Sequence, residues 1–155
     1  MVAAMTPALA ELVAVLMSWA VQLSGYPAPS RLPEVELVKH QWLVEQACGG
    51  QSCKVQGWLP PGDRIYLDDA LDPVASTMDS SVLLHELVHY LQRESGRFGD
   101  DCSAAVDKER EAYATQRSFL AAYGQHAPMF IVVHGLACAS PGGTPPTPGA
   151  PVPRS

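Results

Sequence analysis

At 155 residues, with 47% hydrophobic and 17% charged residues, the chain has the size and composition of one globular domain with a true core. Its formal net charge of −6 argues against nucleic acid and against an anionic membrane surface, both of which need clustered Lys and Arg. No run reaches the ~18 uninterrupted apolar residues of a membrane span.

The first element is an amphipathic helix. Leu9, Leu12, Val13, Leu16, Trp19, Ala20 and Leu23 recur at spacings of three and four, Thr6 is a natural N-cap, and Pro7 suits the first helical position. Residues 12–17 also resemble the apolar centre of a signal peptide. However, no Lys or Arg precedes them, Glu11 sits at their edge, and Ser18 and Gln22 follow, so the helix is the preferred reading. Without a convincing signal peptide the cytoplasm is the default compartment, and four cysteines keep export open.

Pro27, Pro29 and Pro33 end the helix and open an extended passage. Val35, Leu37 and Val38 predict a short strand, and residues 40–47 a short helix. The segment from Cys48 to Cys53 either closes a small disulfide loop or holds two reduced thiols, according to compartment. None of Cys48, Cys53, Cys102 and Cys138 forms a C-x-x-C pair, so a four-cysteine zinc cluster is not expected. Residues 54–59 predict a second strand, Pro60, Pro61, Gly62 and Asp63 a turn, and residues 64–68 a third strand.

A helix follows from about residue 79, or a turn earlier, to about residue 94, with Gly96 as its stop. Another is expected over 103–123, ended by Gly124. Residues 129–133 suit either strand or helix. Pro, Gly, Thr and Ser dominate after Ser140, which predicts a disordered tail over 140–155 behind a domain over 1–139. Helix, short strands, then helices make an α+β domain.

The helix over 79–94 carries His85, Glu86 and His89, an H-E-x-x-H motif. The two histidines are one turn apart, so both imidazoles can reach one ion at the ~2.0–2.1 Å of a zinc–nitrogen bond. Glu86 lies about 100° from His85 and about 60° from His89 around the helix, beside the metal face, where it can take a proton from water activated at the metal. Leu84, Leu87, Val88 and Leu91 form an apolar stripe largely opposite the histidines, on which the helix can pack.

Catalytic zinc takes three protein ligands, so a third must come from elsewhere. Position 92 is Gln and position 95 is Ser, so the same helix does not supply it. Asp107, Glu109 and Glu111 offer carboxylates on the next helix, and Glu109 is 20 residues past His89, room enough for a turn and an antiparallel return. Some of this acidic cluster suits local ion pairs such as Asp107 with Arg110 or Lys108 with Glu111. His126 and His134 are weaker ligand candidates, since lone histidines are usually structural.

H-E-x-x-H followed by Glu109-Arg110-Glu111-Ala112-Tyr113 resembles the glutamate-type zincin metallopeptidases, the gluzincins, whose second motif is E-x-x-A-[DN]. Residues 65–113 also resemble an uncharacterised bacterial family of small H-E-x-x-H domains. The resemblance implies a minimal zincin-like domain: a short mixed sheet, an active-site helix and flanking helices. It implies Zn2+ held by His85, His89 and Glu109, with Glu86 as the base. It further implies that residues 64–68 form the sheet edge beside the cleft, so that Tyr66 and Leu67 bind a peptide or protein substrate by strand addition.

The departure from the pattern is Tyr113, where the family has Asp or Asn to support a zinc-bound histidine, so another group must orient the ligand. Ala112 lies on nearly the same face as Glu109, where a small side chain allows close approach; the rival arrangement turns Glu111 inward with Thr115 and Ser118. Tyr113, Tyr123, His126 and His134 are all possible oxyanion donors. A non-peptidase zinc amidohydrolase and a binding module with structural zinc are the alternative functions.

Overall fold

The computed structural model describes residues 4–127. Its elements run α1 (Pro7–Ser24), β1 (Glu34–Val38), α2 (His40–Ala47), β2 (Gly57–Trp58), β3 (Arg64–Asp68), α3 (Thr77–Ser95) and α4 (Cys102–Ala122). Four helices with a small mixed sheet make an α+β fold. The segment 129–133, the tail, His134 and Cys138 lie outside the described residues.

Local chemistry sets the helix ends. Thr6 accepts the Leu9 amide, Pro7 fills the first turn, and Gly25 closes α1 at φ 80°. Ser76 caps α3 by accepting from the Asp79 amide, and Gly96 stops that helix in the left-handed region at φ 64°. Asp101 caps α4 through the Ala104 amide.

The sheet order is β1-β3-β2, with β1 parallel and β2 antiparallel to β3. This corrects one expectation: residues 64–68 form the central strand, not the edge. Pairing on both sides occupies the backbone groups that strand addition needs. Ile65 and Leu67 point into the core and are fully buried, while Tyr66 packs against Trp42 and Trp58. Neither Tyr66 nor Leu67, the expected substrate contacts, lines the cavity beside the histidines. The edge facing that cavity is β2. Of the strand expected over 54–59 only Gly57–Trp58 has strand pairing, although the Asp68 amide extends it by donating to the Gln56 carbonyl at 2.9 Å. Pro60, which lacks an N–H, limits it on the other side.

The main core joins the helical layer to one face of the sheet. α1 contributes Leu9, Val13, Leu16, Met17 and Ala20, the sheet Val35, Ile65 and Leu67, and α4 Ala112, Phe119 and Leu120. Leu83, Leu84, Leu87, Val88 and Leu91 of α3 fill the space between them. Met17 joins this face, whereas Leu23 is exposed. α2 packs against β2 and β3, and its Leu43 is buried outside the main cluster. By length and composition α1 could cross a membrane, but here its apolar stripe lies in the core.

Candidate metal centre

α3 and α4 bring the site together. His85 and His89 project from one face of α3, one turn apart, with their Nε2 atoms 3.1 Å from each other. Glu109 reaches both from α4: its Oε1 lies 2.7 Å from His89 Nε2, and its Oε2 lies 3.2 Å from His85 Nε2. One ligand atom from each residue falls within 4.8 Å of the others, so the three could hold a metal ion. Two imidazole nitrogens and a carboxylate converging on one point form a donor set that fits a divalent cation. Ala112, fully buried, lets α4 approach α3 at this level.

The charges respond to this crowding. Burial alone would lower the pKa of His89, but the Glu109 hydrogen bond and the charges of Glu86 and Glu109 outweigh it and raise it to about 9. Burial alone would raise Glu109, but hydrogen bonds from His85 and His89 and their charges bring it down to about 2. A proton held between His89 and Glu109 therefore keeps their lone pairs from opposing one another. Glu86 is buried, and desolvation raises its pKa despite the nearby histidines.

Glu111 does not turn inward. It accepts from Arg97 Nη1 at 3.3 Å and from Gln92 Nε2 at 3.3 Å, so Arg97, not the expected Lys108, is its cation. Asp107 and Arg110 form the expected local pair at 2.8 Å.

A cavity of about 650 Å³ opens beside the histidines. Residues 54–59 form one wall; Phe98, Lys108 and Tyr113 contribute to the other. Tyr113 lies in this wall with its ring 4.4 Å from that of His85, and among the described residues its hydroxyl has no hydrogen-bond partner. Tyr123 instead packs on Trp19 and Phe119, and neither it nor His126 lines the cavity. The disulfide forms: Cys48 and Cys53 are joined, and Ala47 and Lys54 on either side of the loop line the cavity. Cys102 is also disulfide-bonded.

Three residues of the site were not legible in the motif. Gln116 Oε1 lies 3.1 Å from His85 Nδ1, and Gln92 Oε1 lies 2.8 Å from His89 Nδ1. Gln92 had a local signal, three residues from His89 on one helix face. Gln116 had one only relative to Glu109, two turns earlier on α4. The third is Gly57, where a side chain would run into Glu86. A lone glycine in a strand pattern marks such a close approach.

The fold and the site define an α+β domain with an H-E-x-x-H helix and a two-histidine, one-carboxylate cluster beside a cavity. A family model matches residues 5–140, nearly the whole chain, and the protein belongs to that family, described as a domain of unknown function (DUF6647). No curated protein and no solved structure matches the chain.

Proposed function

We propose that this protein is a zinc-dependent hydrolase of amide bonds, most simply a small metallopeptidase. The observation that carries the reading is the convergence of His85, His89 and Glu109, with the Glu86 carboxylate beside them at a cavity. When bound, zinc would polarise the scissile carbonyl and acidify water. Glu86 then serves as the base: it adjoins the metal face without sharing a ligand position, and burial strengthens its hold on a proton. The same carboxyl later delivers that proton to the leaving amine. Tyr113, whose hydroxyl has no hydrogen-bond partner among the described residues, lies in the cavity wall and is suited to donate to the developing oxyanion. An extended peptide fits along β2, because among the described residues that strand pairs with β3 on one side only and borders the cavity.

A purely structural zinc site is less well supported. Structural sites close with four protein ligands, whereas the cluster among the described residues has three. A buried carboxylate beside the metal face would also serve no purpose there. A small non-peptide amide would use the same groups, so the substrate panel should contain both peptides and small amides.

The test pairs elemental analysis with a peptide library. The intact protein should hold one zinc per chain after dialysis. Glu86→Gln should keep the metal and lose hydrolysis by at least about 10²-fold. Negligible zinc in the intact protein, or wild-type turnover in Glu86→Gln, would overturn the proposal.

A further inference from the structure

The histidines are held at Nδ1 by two side-chain amides, and each amide in turn donates to a fixed acceptor. We infer that Gln116 and Gln92 are positioning residues that lock His85 and His89 in the Nδ1–H tautomer, so that both Nε2 lone pairs face the metal position. The inference rests on the metal-site reading above.

Proton bookkeeping gives the direction of each chain. Ser81 Oγ lies 2.6 Å from the Met78 carbonyl, which can only accept, so the hydroxyl's single proton goes there. The Ser81 oxygen is then an acceptor, and Gln116 Nε2 donates to it at 2.9 Å. That sets the amide, leaving Oε1 toward His85 Nδ1. An amide oxygen has no proton to give, so Nδ1 carries it.

The second chain reaches the same result from different groups. Gln92 Nε2 donates to the Lys108 carbonyl at 3.0 Å and to Glu111 Oε1 at 3.3 Å. Glu111 accepts from Arg97 through its other oxygen. Reversing the amide would set its oxygen against a carbonyl and a carboxylate. Gln92 Oε1 therefore faces His89 Nδ1, which must donate. Both glutamines are buried.

Tyr113 packs its ring on His85, and the orienting role passes to Gln116 one turn later and to Gln92 on the opposite helix. The acceptors are neutral amides. They fix the rings without adding negative charge beside Glu109 and Glu86.

The experiment uses zinc and the full chain. Imidazole nitrogen NMR of the zinc-loaded protein should show a protonated Nδ1 and a metal-bound Nε2 for both histidines. Chelator competition should show zinc binding about 10–100-fold weaker in Gln116→Met and in Gln92→Met. Gln116→Glu, which keeps an acceptor at that reach and faces a hydroxyl able to donate to it, should restore most of the affinity. Metal bound through Nδ1, or wild-type affinity in both methionine variants, would overturn the inference. If a methionine variant fails to fold, the wild-type spectrum still decides. A wild-type protein that takes up no zinc would overturn the metal reading itself, which is a different result from zinc bound without dependence on the glutamines.

Discussion

Gly57 passes so close to Glu86 that a Cβ there would lie 2.8 Å from both its Cγ and its Oε1. The obstructed atoms belong to the proposed base, not to a free side-chain end. Gly57→Ala should therefore shift the carboxylate while leaving the metal ligands in place. A misplacement near 1 Å costs roughly 10²-fold in rate, so kcat should fall on that order with zinc content unchanged. Unaltered turnover would mean that Glu86 has room to spare.

The histidine pair makes a second prediction, on pH. The Glu109 hydrogen bond and the nearby carboxylate charges, outweighing burial, raise the His89 pKa from its ordinary 6.5 to about 9. The stability this histidine contributes is full below 6.5 and is lost as pH rises through 9. Glu86, also raised, acts in the same direction from its ordinary 4.5 upward. Glu109, lowered to about 2, contributes above 4.5 and loses that contribution as pH falls through 2. The melting temperature of chelator-treated protein should thus decline between pH 6.5 and 9. Zinc takes the position of the His89 proton, so the stabilisation by zinc should widen over the same range. A gap that narrows as pH rises would contradict the assignment.

At the scale of elements, the disulfide loop and β2 form one wall of the cleft. The bridge closes a short loop between Cys48 and Cys53. On the chain-entropy account a loop of this size contributes about 2 kcal/mol. Cys48→Ser with Cys53→Ser should lower stability by about that amount and loosen the wall that Ala47 and Lys54 help to form. Denaturant titration measures the first effect. The second should appear as faster amide exchange over residues 47–57, with α3 unchanged. Uniform acceleration across the chain would show that the bridge holds the whole fold. Arg93 secures the other end of this wall by donating to the carbonyls of Pro60 and Gly62, which ties the β2–β3 turn to α3.

For the whole molecule, α1 holds the two site helices from behind. Leu16 is almost fully buried in the core that α3 and α4 share. Leu16→Ala should cost about 2–5 kcal/mol, a large share of the 5–15 kcal/mol that typically stabilises a domain. If α1 acts only through the fold, zinc affinity of the remaining folded protein should change little. A large loss of affinity without a loss of stability would give α1 a direct role at the site.

Features that depend on neighbours along the chain are legible in the linear pattern alone. The caps Thr6 and Ser76, the stop at Gly96 and the face shared by His85 and His89 follow from one-turn geometry, and so are visible in a linear pattern. The choice of Glu109 needed a motif as well as helix geometry, because Glu111 sits only two positions away. Tertiary structure decided everything that depends on which elements pair. It placed residues 64–68 in the middle of the sheet, which removed Tyr66 and Leu67 from the cleft and, among the described residues, left β2 at its edge. It also set Gly57 against Glu86, and Gln116 behind His85 across 31 residues of chain. Strand order and helix register come from burying apolar surface over the whole domain, and that sum has no signature in any one stretch of sequence.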